Sequence, residues 1–169
     1  MADAPLYKQH RGYTRVLHDN HKLYIVCTSK GRDMDKMLST LRRKLGGMPV
    51  KLVGVDVEYM HYVKPQWAAV LQLCVEQECL VYRISAAKDS SVQKIKKHWV
   101  VLKITGFAIE GDKNKLQLSG LEINSDNYID IQVEWRDPYK KKKFESLAYV
   151  VGRLIDIHYY DMKNKINRN

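Results

Sequence analysis

Six runs of β-forming residues recur along this chain, and amphipathic helical patterns separate most of them. That alternation leaves few folds open. The runs cover residues 21–29 (HKLYIVCTS), 52–56 (LVGVD), 67–75 (WAAVLQLCV), 79–84 (CLVYRI), 100–109 (VVLKITGFAI) and 128–135 (YIDIQVEW). The third and fourth are joined only by the polar Glu76-Gln77-Glu78 and read as a hairpin. Met34, Met37, Leu38, Leu41 and Leu45 recur at helical spacing, with Asp33 at the start and Gly46-Gly47 as the stop. A short basic helix is expected over 91–99 and another from Glu110-Gly111-Asp112 through Leu118. Phe144, Leu147, Ala148, Val151, Leu154 and Ile155 mark the last helix. The order strand, helix, three strands, helix, strand, helix, strand, helix predicts an α/β domain. Its mixed sheet is antiparallel at the hairpin and parallel where helices cross over.

The length, 169 residues, suits one domain with a sizeable core. Residues 1–20 are read as an N-terminal extension, 21–157 as the single domain and 158–169, which lack periodicity, as a fraying tail. No charged-then-apolar leader follows the first residues and no apolar run approaches a membrane span. Neither secretion nor a membrane is expected, and the nucleus or cytoplasm is the expected location. Cys27, Cys74 and Cys79 all sit in strand-like segments and read as reduced, buried thiols rather than a zinc site. The net charge of +10 is unevenly spread. Residues 1–49 hold ten Lys/Arg against four acids, 50–135 ten against eleven, and 136–169 nine against four. A basic periphery around a neutral-to-acidic centre suits a protein that handles a polyanion near bound cations, although a high pI also serves solubility alone.

The acidic centre has a local pattern. Asp56 and Glu58 end the run LVGVDVE, and residues two apart on a strand leave the same face. Two adjacent carboxylates raise each other's pKa unless a cation neutralises them, so the pair reads either as an Mg²⁺ or Mn²⁺ site or as a strand end becoming wet. Asp112 follows another strand in GFAIEGDKNKL, where Gly111 is expected to allow a sharp strand-to-helix turn. Sites in α/β sheets gather at the carboxyl ends of strands. If the two strands are neighbours, three carboxylates converge on a site able to hold divalent ions across a phosphate.

These residues carry a family resemblance. LVGVDVEYMHYVKPQWAAVLQLCVEQECLVYRI resembles the first motif of the 3′–5′ exonuclease domains of the DEDD superfamily. The nearest group is the Werner-helicase-like exonucleases, found among other places as stand-alone plant proteins. The acid pair, its spacing to the A-x-x-Q-L segment from Ala69 to Leu73 and the following C-L-V-Y strand carry the likeness. FAIEGDKNKL is similar to the second motif, with Asp112 as the third acid, and FESLAYVVGRLIDI resembles the helix that usually follows. The resemblance runs from about residue 23 onward. It implies a ribonuclease-H-like fold, a DNA or RNA 3′ end as substrate, and Mg²⁺ or Mn²⁺ held by Asp56, Glu58 and Asp112.

One family element has no counterpart. The third motif places a Tyr four residues before a fourth acid, or a His five before it. Four on from Tyr149, Tyr159 and Tyr160 stand Arg153, Lys163 and Asn164, and five on from His158 stands Lys163. Asp161 is preceded by Ile157 at four and Asp156 at five. The expectation is a family member truncated before its last catalytic helix, with a single weakly bound ion and weak or lost nuclease activity. The alternatives are an active Mg²⁺-dependent enzyme and a non-catalytic protein that forms a homo- or hetero-oligomer with a full-length family member.

Further residues have two readings each. Lys140, Lys141, Lys142 and Lys143 can track a phosphate backbone or form a solvated turn, as can Lys94, Lys96, Lys97 and His98. Tyr59 and Tyr62 can stack on a terminal base, and His61 can touch a phosphate or simply face water. Trp67 shares the stacking reading, with the core as its expected place. Glu110 is expected to point away from the site on an extended backbone.

Overall fold

A computed structural model describes residues 13–16, 22–60, 62, 64–86, 95, 103–121, 125–136, 146–155, 157 and 160. Its centre is a seven-stranded mixed sheet. The strands are β1 (Tyr13–Val16), β2 (Lys22–Thr28), β3 (Leu52–Tyr59), β4 (Ala68–Val75), β5 (Glu78–Arg83), β6 (Lys103–Gly106) and β7 (Tyr128–Asp130). Across the sheet they run β1-β2-β5-β4-β3-β6-β7. The hairpin β4–β5 and the pair β3–β4 are antiparallel. The crossover neighbours β2–β5, β3–β6 and β6–β7 are parallel. β1, which lies ahead of residue 21, pairs antiparallel with β2 at the sheet edge.

Helix α1 (Gly31–Gly46) turns Met34, Met37, Leu38, Leu41 and Leu45 into the core, the five positions its spacing marks. Fully burying one such side chain contributes about 1.5–3 kcal/mol, so this stripe is what holds the helix to the sheet. On the sheet side the core takes alternate residues: Val53, Val55 and Val57 from β3, Leu71, Leu73 and Val75 from β4, and Leu80 and Tyr82 from β5. Among the described residues, no helix is long and apolar enough to cross a membrane.

Three elements differ from the sequence expectation. β3 continues three residues past Asp56, with a bulge between Glu58 and Tyr59. The run 100–109 does not stay extended: β6 ends at Gly106 and helix α2 (Ile109–Leu118) takes Ile109 into its buried face. The run 128–135 is a strand only to Asp130, after which α3 (Ile131–Glu134) begins. Its alternating pattern is compatible with a strand, but the Asp130 carboxylate accepts the Gln132 N–H at 2.9 Å and caps a helical turn instead. The final helix α4 (Leu147–Leu154) is capped by Ser146, whose hydroxyl accepts the Tyr149 N–H. Of the basic helix expected over 91–99, only the buried Ile95 lies within the described residues.

Candidate functional site

The acid pair follows directly from the pleat of β3. Val53, Val55 and Val57 are buried on one face, so Asp56 and Glu58 stand exposed on the other. The strand is both a core strand and an acid-bearing one, with each role on its own face. On the neighbouring β4, Gln72 lies opposite Asp56, and its amide donates to Asp56 Oδ2 at 3.0 Å. β6 flanks β3 on its other side in parallel register, Gly54 beside Thr105. The approach is close: a Cβ on Gly106 would stand 2.8 Å from the Val55 carbonyl oxygen, a contact side chains essentially never make. Glycine at 106 therefore lets β6 end directly beside Asp56.

The chain then turns sharply into α2. The turn is made at Ala108, in the left-handed region at φ 56°, rather than at Gly111, which lies within the helix. Such a conformation costs a non-glycine residue roughly 1–2 kcal/mol. Asp130 compensates for it: from the end of β7 its carboxylate accepts the Ala108 N–H at 3.1 Å and the Ile109 N–H at 3.0 Å. With the Gln132 bond, one buried carboxylate holds three backbone donors from two helix starts. This clamp sets where α2 begins, and Asp112 falls in its first turn. Glu110 does point elsewhere, but on a helix rather than an extended backbone, accepting from Lys113 and from the Tyr128 hydroxyl.

Electrostatics link Asp112 to the acid pair. Burial, followed by the negative charge of Asp56, raises its pKa to about 6, with Lys115 opposing and Glu58 and Asp130 adding. The Lys115 ammonium stands 3.9 Å from Asp112 Oδ1 and 3.6 Å from the centre of the Tyr59 ring. The three acids thus lie in one another's field. Among the described residues, no three His, Cys, Asp or Glu side chains form a ready ligand set; Asp56 is engaged by Gln72 and Asp112 faces Lys115. The donors nevertheless fit a hard divalent cation in kind, being carboxylate oxygens whose mutual repulsion such an ion relieves. Beside Asp56 lies a cavity of about 230 Å³, walled by Gly54, Gln72, Cys74, Phe107 and Leu147.

The other expected site residues divide. Tyr59 is half-buried beneath Lys115, and Tyr62 is fully exposed. Trp67 is 48% exposed, not in the core: β4 begins one residue later, and Ala68 takes the buried position. His61, Lys140, Lys141, Lys142 and Lys143 lie outside the described residues, as do Lys94, Lys96, Lys97 and His98. On α4, Tyr149 packs edge-on against Tyr160 at 5.5 Å. Sequence reasoning did not single out Gln72 as a partner of Asp56, Lys115, or Asp130. Gln72 was visible only as part of A-x-x-Q-L, and Asp130 only as one polar residue in an alternating run.

A mixed sheet of this order, flanked by helices, with an acid-bearing strand beside a parallel neighbour, is the ribonuclease-H-like exonuclease fold. Solved exonuclease domains share it. The exonuclease domain of Nibbler from Aedes aegypti matches with a TM-score of 0.61 at 16% identity, over 85% of this chain and 72% of that one. The catalytic core of RRP6 from Trypanosoma brucei matches with a TM-score of 0.65 at 14% identity, over 88% of this chain and 38% of that one. The EXD2 exonuclease domain soaked in Mn and GMP matches with a TM-score of 0.52 at 20% identity, over 64% of this chain. This chain spans 56% of that EXD2 chain. No protein-family model matches the sequence, and no curated protein matches it.

Proposed function

We propose that this chain is a 3′–5′ exonuclease-like domain that binds nucleic-acid 3′ ends and, by itself, hydrolyses them weakly or not at all. The observation that carries this reading is the electrostatic grouping of Asp56 and Glu58 on β3 with Asp112 in the first turn of α2, the helix that follows the parallel neighbour β6. The fold shared with exonuclease domains supports it, as do the EXD2 crystals soaked in Mn and in Mg. Asp56, Glu58 and Asp112 would hold Mg²⁺ or Mn²⁺. Such an ion, when bound, polarises a phosphodiester and lowers the pKa of its water.

The remaining groups orient and bind. Gln72 holds the Asp56 carboxylate, and Asp130 fixes the turn that delivers Asp112. Lys115 offsets part of the acidic charge. Tyr62 and Trp67, both exposed, are free to stack on a base, while Lys140 to Lys143 and His61 contact phosphates. Weak hydrolysis follows from the third motif: these residues include no Tyr or His at the family spacing before a fourth acid. Loss of a general base alone costs roughly 10²–10⁴-fold. In line with the nearest resemblance, the chain is of the Werner-helicase-like type.

The test is a titration of Mg²⁺ and Mn²⁺ with a labelled 3′-recessed duplex and a single-stranded RNA. Saturable binding with little or no shortening is expected. Robust, Mg²⁺-dependent shortening that Asp56→Asn abolishes would overturn the impairment, and absence of binding to either substrate would overturn the whole reading.

A further inference from the structure

Cys74 and Cys79 face each other across the β4–β5 hairpin. They are direct partners in its antiparallel register, one pair in from the Glu76-Gln77 turn. In a two-residue hairpin the pair flanking the turn, here Val75 and Glu78, exchanges backbone hydrogen bonds. The next pair is then the non-hydrogen-bonded kind, whose Cα atoms are about 4.5 Å apart and whose side chains approach most closely. Disulfides span Cα separations of about 4.4–6.8 Å, so no strand needs to move far.

The third thiol is placed differently. Cys27 lies opposite Val81 in the parallel β2–β5 ladder, while Ile25 is the neighbour of Cys79 on that side. None of the three is in a disulfide; Cys79 is buried and Cys74 half-buried. Cys74 also lines the cavity beside Asp56, which gives a small solute a route to the pair.

We propose that Cys74 and Cys79 are an oxidation site that closes into an intrachain disulfide when the protein meets a peroxide. Their mutual hydrogen bond prepares the chemistry: it pushes the Cys74 thiol up, with burial adding to it, and holds Cys79 below the usual thiol range. With Cys79 as the reactive thiolate, Cys74 is its proton-bearing neighbour. The Cys79 thiolate attacks one peroxide oxygen; the S–O bond forms, the O–O bond breaks, and the departing oxygen leaves as water after taking up a proton. Cys74, giving up its proton, then attacks the Cys79 sulfur; the S–S bond forms, the S–O bond breaks, and a second water leaves. Two thiols are oxidised and one hydrogen peroxide is reduced to two waters. Opposite Cβ atoms in a sheet stand about 4.5–5.5 Å apart, against about 3.5–4.5 Å in a disulfide. A non-hydrogen-bonded pair lies at the short end of the first range, so closure draws the two strands only slightly together.

The inference does not depend on the nuclease reading. The full reduced chain is exposed briefly to hydrogen peroxide, remaining thiols are capped with N-ethylmaleimide, and the product is digested without reductant. Cleavage after Glu76 or Glu78 separates the two cysteines, so a disulfide appears as two linked peptides in the mass spectrum. The expected result is one capped thiol, on Cys27, a Cys74–Cys79 link in monomeric protein, and full recovery of capping after dithiothreitol. Cys27→Ser leaves the link intact, whereas Cys74→Ser leaves Cys79 without a disulfide partner and yields no linked peptides. Three capped thiols, a link to Cys27, or oxidation that stops at a sulfenic or sulfinic acid with no linked peptides would overturn the proposal.

Discussion

Asp112 is held at a pKa of about 6, chiefly by burial and then by the charge of Asp56. An unfolded aspartate titrates near about 3.9, so the native state binds the proton more tightly. The stabilisation this gives is complete below the unfolded value and is lost as pH rises through about 6. Asp112→Asn should therefore gain on the parent as pH rises from 4 to 7, by about 2 kcal/mol. Denaturant midpoints measured across that range without divalent ions would show it, and parallel profiles would count against the burial of Asp112 beside the acid pair. Asp130 acts in a different way. Its carboxylate satisfies three backbone donors, and removing it orphans buried N–H groups at a left-handed turn. Asp130→Ala should cost about 3 kcal/mol in chemical denaturation and weaken divalent binding, with Asp130→Asn losing less.

At the scale of elements, what brings the acids together is the contact between β3 and β6. The two strands meet because Gly106 lacks a Cβ that would strike the Val55 carbonyl at 2.8 Å and its Cγ1 at 3.2 Å. A backbone oxygen in a ladder cannot swing aside as a flexible side chain can. Gly106→Ala should thus open the end of this ladder, costing about 2 kcal/mol, and separate Asp56 from Asp112. Calorimetric titration with Mn²⁺ would report the loss of binding, and unchanged affinity in a folded variant would show that the acid pair acts without Asp112. α1 illustrates the opposite case. Its buried stripe, its Gly46-Gly47 stop and its place against β2, β4 and β5 all follow from one short segment of sequence.

For the whole molecule, the positive charge resides mainly in residues 1–49 and 136–169, while the acids of the site lie between them. If that periphery contacts phosphates, affinity for a single-stranded oligonucleotide should fall on the order of tenfold or more between 50 and 200 mM salt. Replacing Lys140, Lys141, Lys142 and Lys143 with alanine should flatten the dependence, as read by fluorescence anisotropy at several salt concentrations. An unchanged slope would assign those lysines to a solvated turn.

The sequence by itself determined what local periodicity and punctuation encode. The alternating strand and helix order, the β4–β5 hairpin, the core face of α1 and the shared face of Asp56 and Glu58 all rest on residues a few positions apart. Each follows from the pleat or from the helical repeat, which act on neighbours. Only the tertiary structure decided that β3 and β6 are adjacent and that α2 starts at Ile109. It also decided that Asp130 caps a turn 22 residues earlier, that residues 131–134 are helical, and that Trp67 faces outward. These depend on which distant segments meet. A buried carboxylate satisfies its charge wherever backbone donors are presented, and no local pattern says where that will be.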